Sequence, residues 1–207
     1  MLGSEESPGI IVHTLEELFR KITSYSDDKE FNVRLWYIEI YNEILRDLLT
    51  GGNNEETIDL REDPVKGVTL NGITEMNVKS CKDIMFQLRK GNKQRTTEST
   101  NANETSSRSH AILQVIVEHK ERNSGTEAEV RVGKLSLIDL AGSERASATL
   151  NRGIRLIEGA NINRSLLTLG NCINALSEAN EKGNNKAYVP YRDSKLTRLL
   201  KVYFIYL

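Results

Sequence analysis

The run from Val130 to Leu140 predicts a strand of a layered α/β protein. Three of the four positions from Leu135 to Ile138 are apolar, which is typical of a strand covered on both faces. Apolar residues recur at helical spacing on either side of it, between Ile11 and Ile22 and between Ile162 and Leu176. Since strand and helix patterns alternate along the chain, we expect an α/β architecture with helices on the faces of a sheet.

Local patterns predict the remaining elements. Ser80 and Asp83 are spaced as a capping pair for a helix that Gly91 would end. Alternating apolar residues predict a strand at 31–37, a run rich in strand-forming residues predicts another at 111–118, and a short apolar cluster at 44–49 is interpreted as a helix. The Asn71-Gly72 pair predicts a hairpin turn, and a last helix is expected to begin near Ser194.

Composition excludes several classes of protein. The 207 residues carry 28 Lys and Arg against 29 Asp and Glu, a formal net charge of −1, which argues against binding to nucleic acid by bulk charge. The two cysteines, Cys81 and Cys172, form no metal or disulfide pattern, so a reducing compartment is expected. No signal peptide precedes the first helix pattern, and no apolar run approaches the ~20 residues that a membrane span needs.

Charge is distributed unevenly along the chain. Residues 1–63 carry 6 basic and 15 acidic side chains, a net charge of −9, whereas residues 145–207 carry 10 basic and 4 acidic side chains, a net charge of +6. A basic face attracts acidic partners through a field that salt weakens. An ordinary solvated face is the alternative, and composition alone favours it.

Two polar segments contain the residues that can do chemistry. One is 103–110, which leads into a strand, and the other is 139–144, which follows the apolar strand. Asp139 stands at the carboxyl end of that strand, where α/β sheets bind ligands, and a carboxylate there can hold Mg²⁺ through water. Gly142 would let a backbone N–H approach a phosphate, and Arg108 can pair with a phosphate or with Glu144. These are the parts of a phosphate-sensing switch.

Each segment taken alone favours a simpler interpretation. The pattern D-x-x-G is common, and a Ser-rich stretch before a strand is usually a loop with local hydrogen bonds. Ser109, His110 and Asp139 form a hydrolase triad on paper, but no G-x-S-x-G elbow accompanies them. We therefore expect His110 to support its loop rather than act as a base, and Trp36, Tyr37 and the apolar residues of the 162–176 helix, Leu166, Leu169 and Ile173 among them, to be packing residues.

Five long motifs resemble the motor domain of kinesins. They stand in family order and are Y-I-E-I-Y-N-E-I-L-R-D-L-L at 37–49, S-S-R-S-H at 106–110, D-L-A-G-S-E at 139–144, N-I-N-R-S-L-L-T-L-G-N-C-I-N-A-L at 161–176 and Y-V-P-Y-R-D-S-K-L-T-R-L-L at 188–200. Segments 101–105 and 151–153 lean toward the eighth kinesin class, which includes microtubule-depolymerising motors. The resemblance implies a P-loop NTPase-like α/β fold with a central mixed sheet and helices on both faces.

The resemblance also implies roles for residues of the two polar segments, which match switch I and switch II. Asn103, Ser106 and Ser107 fall on the switch I positions that contact the γ-phosphate of ATP and Mg²⁺, with Ser107 nearest the metal. Asp139 matches the aspartate that holds the metal's water, and Gly142 matches the glycine whose N–H senses the γ-phosphate. Arg108 and Glu144 match the ion pair that closes around the nucleotide and positions the attacking water.

The basic last third matches the microtubule-facing part of the family. The 161–176 helix resembles the relay helix that lies on the microtubule, and Arg192, Lys195 and Arg198 match basic positions of the adjoining tubulin-facing loop and helix. The family relationship implies a cytoplasmic protein of the cytoskeleton whose partner is tubulin, with no nucleic acid and no membrane span. It also implies a dimer formed through a coiled coil outside these residues.

The chain departs from the family at both ends. It contains no G-x-x-x-x-G-K-[ST] segment, and in kinesins the segment that resembles Met1-Leu2-Gly3 comes just after that phosphate loop. At the other end, 202–207 replaces a polar segment that leads to one more strand and helix. Residues 1–207 are thus expected to be a partial motor domain with exposed sheet edges, poor folding in isolation and little ATPase activity.

Three functions remain open from the sequence. The first is a fragment of a microtubule-stimulated ATPase motor. The second is a non-enzymatic microtubule-binding module without a nucleotide site, and the third is an α/β domain of unrelated function. Nucleotide-sensitive binding to microtubules would separate the first from the second, and the third requires all five motif matches to be accidental.

Overall fold

The computed structural model describes residues 1–4, 6–50, 58–63, 67–97, 108–122, 129–142, 154–182 and 187–204. The helices are α1 (Ile10–Ser24), α2 (Cys81–Thr97), α3 (Ile154–Glu181) and α4 (Lys195–Phe204). The strands are β1 (Lys29–Tyr41), β2 (Ile44–Asp47), β3 (Asp59–Asp63), β4 (Gly67–Asn71), β5 (Met76–Asn77), β6 (His110–Glu121) and β7 (Arg131–Asp139). A 3-10 turn, Tyr191–Asp193, precedes α4.

A five-stranded sheet forms the centre of the described structure. Its order is β2-β1-β6-β7, with β5 paired to β1, and β3 and β4 form a separate two-stranded sheet. Every described pairing is antiparallel, and the longest one places Trp36 opposite Gln114 and Tyr37 opposite Leu113. The predicted α/β class is confirmed, and the central sheet, which was expected to be mixed, is antiparallel throughout the described strands.

Strand β7 differs from the expectation that both of its faces are covered. Its residues are exposed in the first half and only half-buried from Leu135 onward. Among the described strands β7 pairs only with β6, so it is an edge of the sheet. The near-continuous apolar pattern therefore marks a strand whose covering is incomplete in the described residues.

Helices pack on both faces of the sheet, as predicted. Because side chains alternate along a strand, β1 contributes Leu35 and Tyr37 to one core and Trp36 and Ile38 to the other. The first core lies under α1 and α2, and the second lies under α3, α4 and the β3–β4 hairpin. Trp36 and Tyr37 are buried as expected, whereas Ile173 on α3 is 50% exposed, so its assignment as a packing residue was wrong.

The segment predicted as a helix at 44–49 is instead β2 and the turn after it. Asn42 and Glu43 both have positive φ, at 52° and 60°, and this pair turns the chain back so that Ile44 lies opposite Tyr41. Leu45 then points into the second core while Ile44 is exposed. A short apolar run fits either element, and here the pairing with β1 decides for the strand.

Two further turn predictions are corrected. Asn71-Gly72 does turn the chain, with a φ of 80° at Gly72, but it does not form a hairpin, because β4 pairs with β3 and β5 pairs with β1. The Ser80–Asp83 cap of α2 is confirmed, since Asp83 accepts from the N–H of Ser80 at 2.9 Å and donates its own N–H to Ser80 Oγ at 3.2 Å. Gly91 does not end α2, which continues to Thr97.

In the part of the chain that the structure describes, none of the helices has both the length and the apolarity required to cross a bilayer.

Candidate functional site

The described parts of the two polar segments, 108–110 and 139–142, lie at one end of the sheet. β6 begins at His110 and β7 ends at Asp139, and the antiparallel register places Ala111 opposite Asp139. Arg108, Asp139 and Gly142 therefore all lie at this end of the sheet. Asn103, Ser106, Ser107 and Glu144 lie outside the described residues, as does the predicted Arg108–Glu144 ion pair.

His110 joins three elements at this edge. Its Nδ1 accepts a hydrogen bond from the backbone N–H of Ala141 at 3.0 Å, so the ring proton is on Nε2. Nε2 in turn lies 2.8 Å from Ser165 Oγ on α3, and that hydroxyl donates to the carbonyl of Ile162 at 2.8 Å. The start of β6, the residue before Gly142 and the middle of α3 are thus connected through one imidazole.

The imidazole of His110 is held in its neutral form. Burial, with a further contribution from the positive charge of Arg95, lowers the pKa of His110 to about 4. A neutral ring can accept from Ala141 and donate to Ser165 at the same time, whereas a protonated ring would lose the Ala141 bond. The supporting role expected of His110 therefore has a defined geometry.

Arg95, near the end of α2, is a site residue that the sequence interpretation missed. Its side chain is only 5% exposed, and its Nη2 donates to the carbonyl and the hydroxyl of Ser109 at 3.2 and 3.1 Å. Its Nη1 lies 3.5 Å from Asp139 Oδ2, and its Nε lies 3.6 Å from Glu39 Oε1. Arg95 thus holds the residue before His110 and the carboxylate of Asp139 with one guanidinium.

Glu39 is the buried counter-charge of this cluster. It is 2% exposed in the middle of β1, and its second oxygen lies 3.8 Å from Arg46 Nη1. A glutamate among apolar residues of a buried strand is a signal that the sequence did contain, since buried acids are almost always paired. Its partner Arg95 had no comparable signal, because the contact joins distant parts of the chain.

A cavity of about 870 Å³ opens beside these charges. Its walls combine apolar residues of β6 and β7 with Tyr37, Lys93, Arg95 and Asp139. Among the described residues no group of three His, Cys, Asp or Glu side chains is placed to hold a metal directly. The Asp139 carboxylate is 44% exposed at the edge of the cavity, so it is accessible to the water of a Mg²⁺ ion, and its water-mediated role toward Mg²⁺ stays a prediction.

The three bases predicted to face tubulin lie around the start of α4. Arg192 is exposed on the 3-10 turn, Arg198 is half-buried on α4, and the backbone N–H of Lys195 is capped by Glu43 Oε2 at 2.8 Å. Glu43 belongs to the β1–β2 turn, whose neighbouring Asn42 is hydrogen-bonded to Asn161 of α3. That turn therefore positions the beginning of α4 against α3.

A family comparison covers almost the whole chain. The model of the kinesin motor domain matches residues 1–205. Relatives include the kinesin-like protein KIF19 of Xenopus laevis, 59% identical over 97% of this chain, and KIN-8A of Arabidopsis thaliana, 53% identical over 97%. KIP3 of Saccharomyces cerevisiae is 49% identical over 96%. The chain spans 20%, 26% and 24% of these three proteins.

Solved structures agree with the sequence relatives. A KIF14 dimer with AMP-PNP, in a two-heads-bound state in complex with a microtubule, is 39% identical and superposes with a TM-score of 0.84. KIF14 with ADP in complex with a microtubule is 36% identical, with a TM-score of 0.82. Both matches cover 97% of this chain and 57% of the other chain. The chain belongs to the kinesin motor domain family, with its relatives in the eighth class.

Proposed function

We propose that this chain is the switch-bearing and tubulin-binding part of an ATP-driven motor that works on microtubules in the cytoplasm. The observation that carries the proposal is the position of His110, which links the ends of both switch segments to the helix α3. A displacement of Ala141 and Gly142 would change the hydrogen bond from Ala141 to His110 Nδ1. The imidazole would then shift, and its hydrogen bond from Nε2 to Ser165 on α3 would change with it.

The roles proposed within the nucleotide site are those that the resemblance to kinesins implies. Bound ATP with Mg²⁺ would supply the reactive γ-phosphate and the charge that neutralises it. Asp139 would hold a water of the metal, with Ser107 at the metal and Asn103 and Ser106 at the phosphate. Gly142 would offer its N–H to the γ-phosphate, and Arg108 with Glu144 would close the site and orient the attacking water. The sequence contains no phosphate-loop motif, so this chemistry requires one from another segment.

The basic surface is the proposed contact with tubulin. Arg192, Lys195 and Arg198 follow α3 closely in sequence and cluster around the start of α4. An acidic partner would be attracted by long-range charge to these three bases, which are part of the net charge of +6 in residues 145–207. Dimerisation through a coiled coil remains a prediction.

Co-sedimentation with microtubules tests the proposal. We expect the 207-residue chain to pellet with microtubules at low salt, and we expect binding to differ between AMP-PNP and ADP once a phosphate-loop segment precedes Met1. Binding that ignored the nucleotide in that longer protein would favour a microtubule-binding module without a nucleotide site. Absence of binding in both proteins would refute the proposal.

A further inference from the structure

Glu62 on β3 lies in contact with three cations of the proposed tubulin-binding surface. Its Oε2 is 3.2 Å from Arg192 Nη2 and 3.3 Å from Lys201 Nζ, and its Oε1 is 3.9 Å from Arg198 Nε. The acid and the bases come from elements far apart in sequence, so the cluster is a product of the fold. With three cations around one carboxylate, the cluster keeps a net positive charge.

The geometry resembles a carboxylate-binding site that is occupied from within. Arg192 and Lys201 converge on the same oxygen of Glu62, as two donors would converge on a bound carboxylate. Hydrogen bonds from Arg192 and Lys201 hold the pKa of Glu62 below its usual value, so it stays ionised at neutral pH. Arg192 is 78% exposed and Glu62 only 23%, so the cation can leave toward solvent while the acid stays against the protein.

The three cations around Glu62 differ in how firmly the protein holds them, and so in how readily they can exchange Glu62 for another carboxylate. Arg198 is anchored, because its Nη2 donates to the carbonyl of Leu60 at 3.2 Å and so ties α4 to the β3–β4 hairpin. Lys201 is 35% exposed and lies 6.0 Å from the centre of the Tyr191 ring. Arg192 has the greatest exposure of the three cations. Exchange of partners is therefore expected chiefly at Arg192 and secondarily at Lys201.

We propose that Arg192 and Lys201 form a binding site for a carboxylate of tubulin, and that Glu62 is the internal competitor that occupies this site in the free protein. The inference rests on the proposed function and deepens it. A competing acid weakens the complex, since the partner must replace an ion pair rather than meet a free cation. It also lowers attraction to acidic surfaces in general, which favours partners that offer several carboxylates at once.

The matched test compares Glu62→Gln with Asp59→Asn. Both variants remove one negative charge from β3, but Asp59 is paired with Arg61, at 2.7 Å, rather than with the proposed site. We expect Glu62→Gln to lower the Kd for microtubules about threefold at low ionic strength, with a smaller difference at high salt, as expected for one exposed ion pair. Asp59→Asn should give a clearly smaller change.

A double-mutant cycle identifies the released cation. If Arg192 is freed by Glu62→Gln, then Arg192→Ala should weaken binding more in the Glu62→Gln background than in the wild type. Equal affinities of Glu62→Gln and Asp59→Asn, or weaker binding by Glu62→Gln with an unchanged melting temperature, would overturn the inference and leave the proposed function standing. If the wild-type chain did not bind microtubules at all, the proposed function would fail and this inference with it.

Retention on immobilised poly-glutamate gives a readout that does not require microtubules. We expect Glu62→Gln to elute at higher salt than Asp59→Asn, because the first change releases the two converging cations Arg192 and Lys201, whereas the second releases only Arg61. Coincident elution would contradict the competitor role, whatever the result with microtubules.

Discussion

The Nδ1 atom of His110 accepts a hydrogen bond from the backbone N–H of Ala141 at 3.0 Å, which fixes the residue after Leu140 against the start of β6. The bond exists only while the imidazole is neutral. Burial and the nearby Arg95 ensure this by lowering the pKa of His110 to about 4. The other ring nitrogen, Nε2, is hydrogen-bonded to Ser165, so the same imidazole also contacts α3.

Stability should therefore fall with acidification below the ordinary pKa of histidine. Between 6.5 and about 4 the unfolded chain takes up a proton at this position and the folded chain does not, so the free energy of unfolding decreases as pH is lowered. The slope should approach about 1.4 kcal/mol per pH unit. Denaturant unfolding from pH 7 to 5 would measure it.

The variant His110→Gln should lose this part of the pH dependence. His13→Gln is the matched control, because the His13 side chain is 64% exposed on α1, and it should retain the wild-type slope. Identical slopes for wild type and His110→Gln would show that His110 is not the group responsible.

Removal of the Ser165 hydroxyl should destabilise the fold. Ser165→Ala leaves the buried Nε2–H of His110 without its acceptor, at a cost of about 1–3 kcal/mol, reduced slightly by the better helix propensity of alanine. Ser177→Ala, at an exposed position of the same helix, should be neutral or slightly stabilising. Thermal unfolding of the pair would measure the difference, and equal melting temperatures would contradict the importance of the His110–Ser165 bond.

Two glycines should respond oppositely to alanine. A Cβ at Gly91 would lie 2.8 Å from two carbon atoms of the Tyr37 ring and 3.1 Å from Leu48 Cβ, so Gly91→Ala should cost about 1–3 kcal/mol by overpacking. At Gly170 nothing lies within 4 Å, so Gly170→Ala should stabilise α3 by up to about 1 kcal/mol. Urea unfolding of both variants tests this, and a stabilised Gly91→Ala protein would show that α2 does not press on Tyr37.

Alanine substitutions in the basic surface around the start of α4 should affect microtubule binding and stability to different extents. Arg192→Ala and Lys195→Ala should weaken microtubule binding and change the free energy of unfolding by no more than about 0.5 kcal/mol. Arg198→Ala should weaken binding and also cost about 1–2 kcal/mol, since its guanidinium holds the Leu60 carbonyl.

Arg20→Ala serves as the control for this surface. Arg20 is likewise a cation with a largely exposed side chain, but α1 lies on the opposite face of the sheet. Microtubule pelleting assays would measure the binding of the four variants, and thermal melts would measure their stability. Weakening by Arg20→Ala equal to that by Arg192→Ala would mean that total charge, and not this surface, controls binding.

The sequence was sufficient for the α/β fold class, because that class follows from local patterns and family motifs, whereas the assignment of the two polar segments as switches stays a prediction. It was insufficient where long-range contacts decide. The helical interpretation of 44–49 was wrong because strand pairing overrode an ambiguous apolar run, and Gly91 was misread as a helix end because Tyr37, distant in sequence, is what requires a glycine there. Arg95 and Glu62 were missed for the same reason, since their partners are known only from the folded chain.

The most direct test of the account is microtubule co-sedimentation of a protein in which a phosphate-loop segment precedes these 207 residues, measured with AMP-PNP and with ADP. The account predicts affinities that differ between the two nucleotides, and a difference that shrinks in His110→Ala while Ser177→Ala retains it. Equal affinities in AMP-PNP and ADP, in a protein shown to bind both nucleotides, would contradict the claim that the switch segments communicate with the tubulin-binding surface.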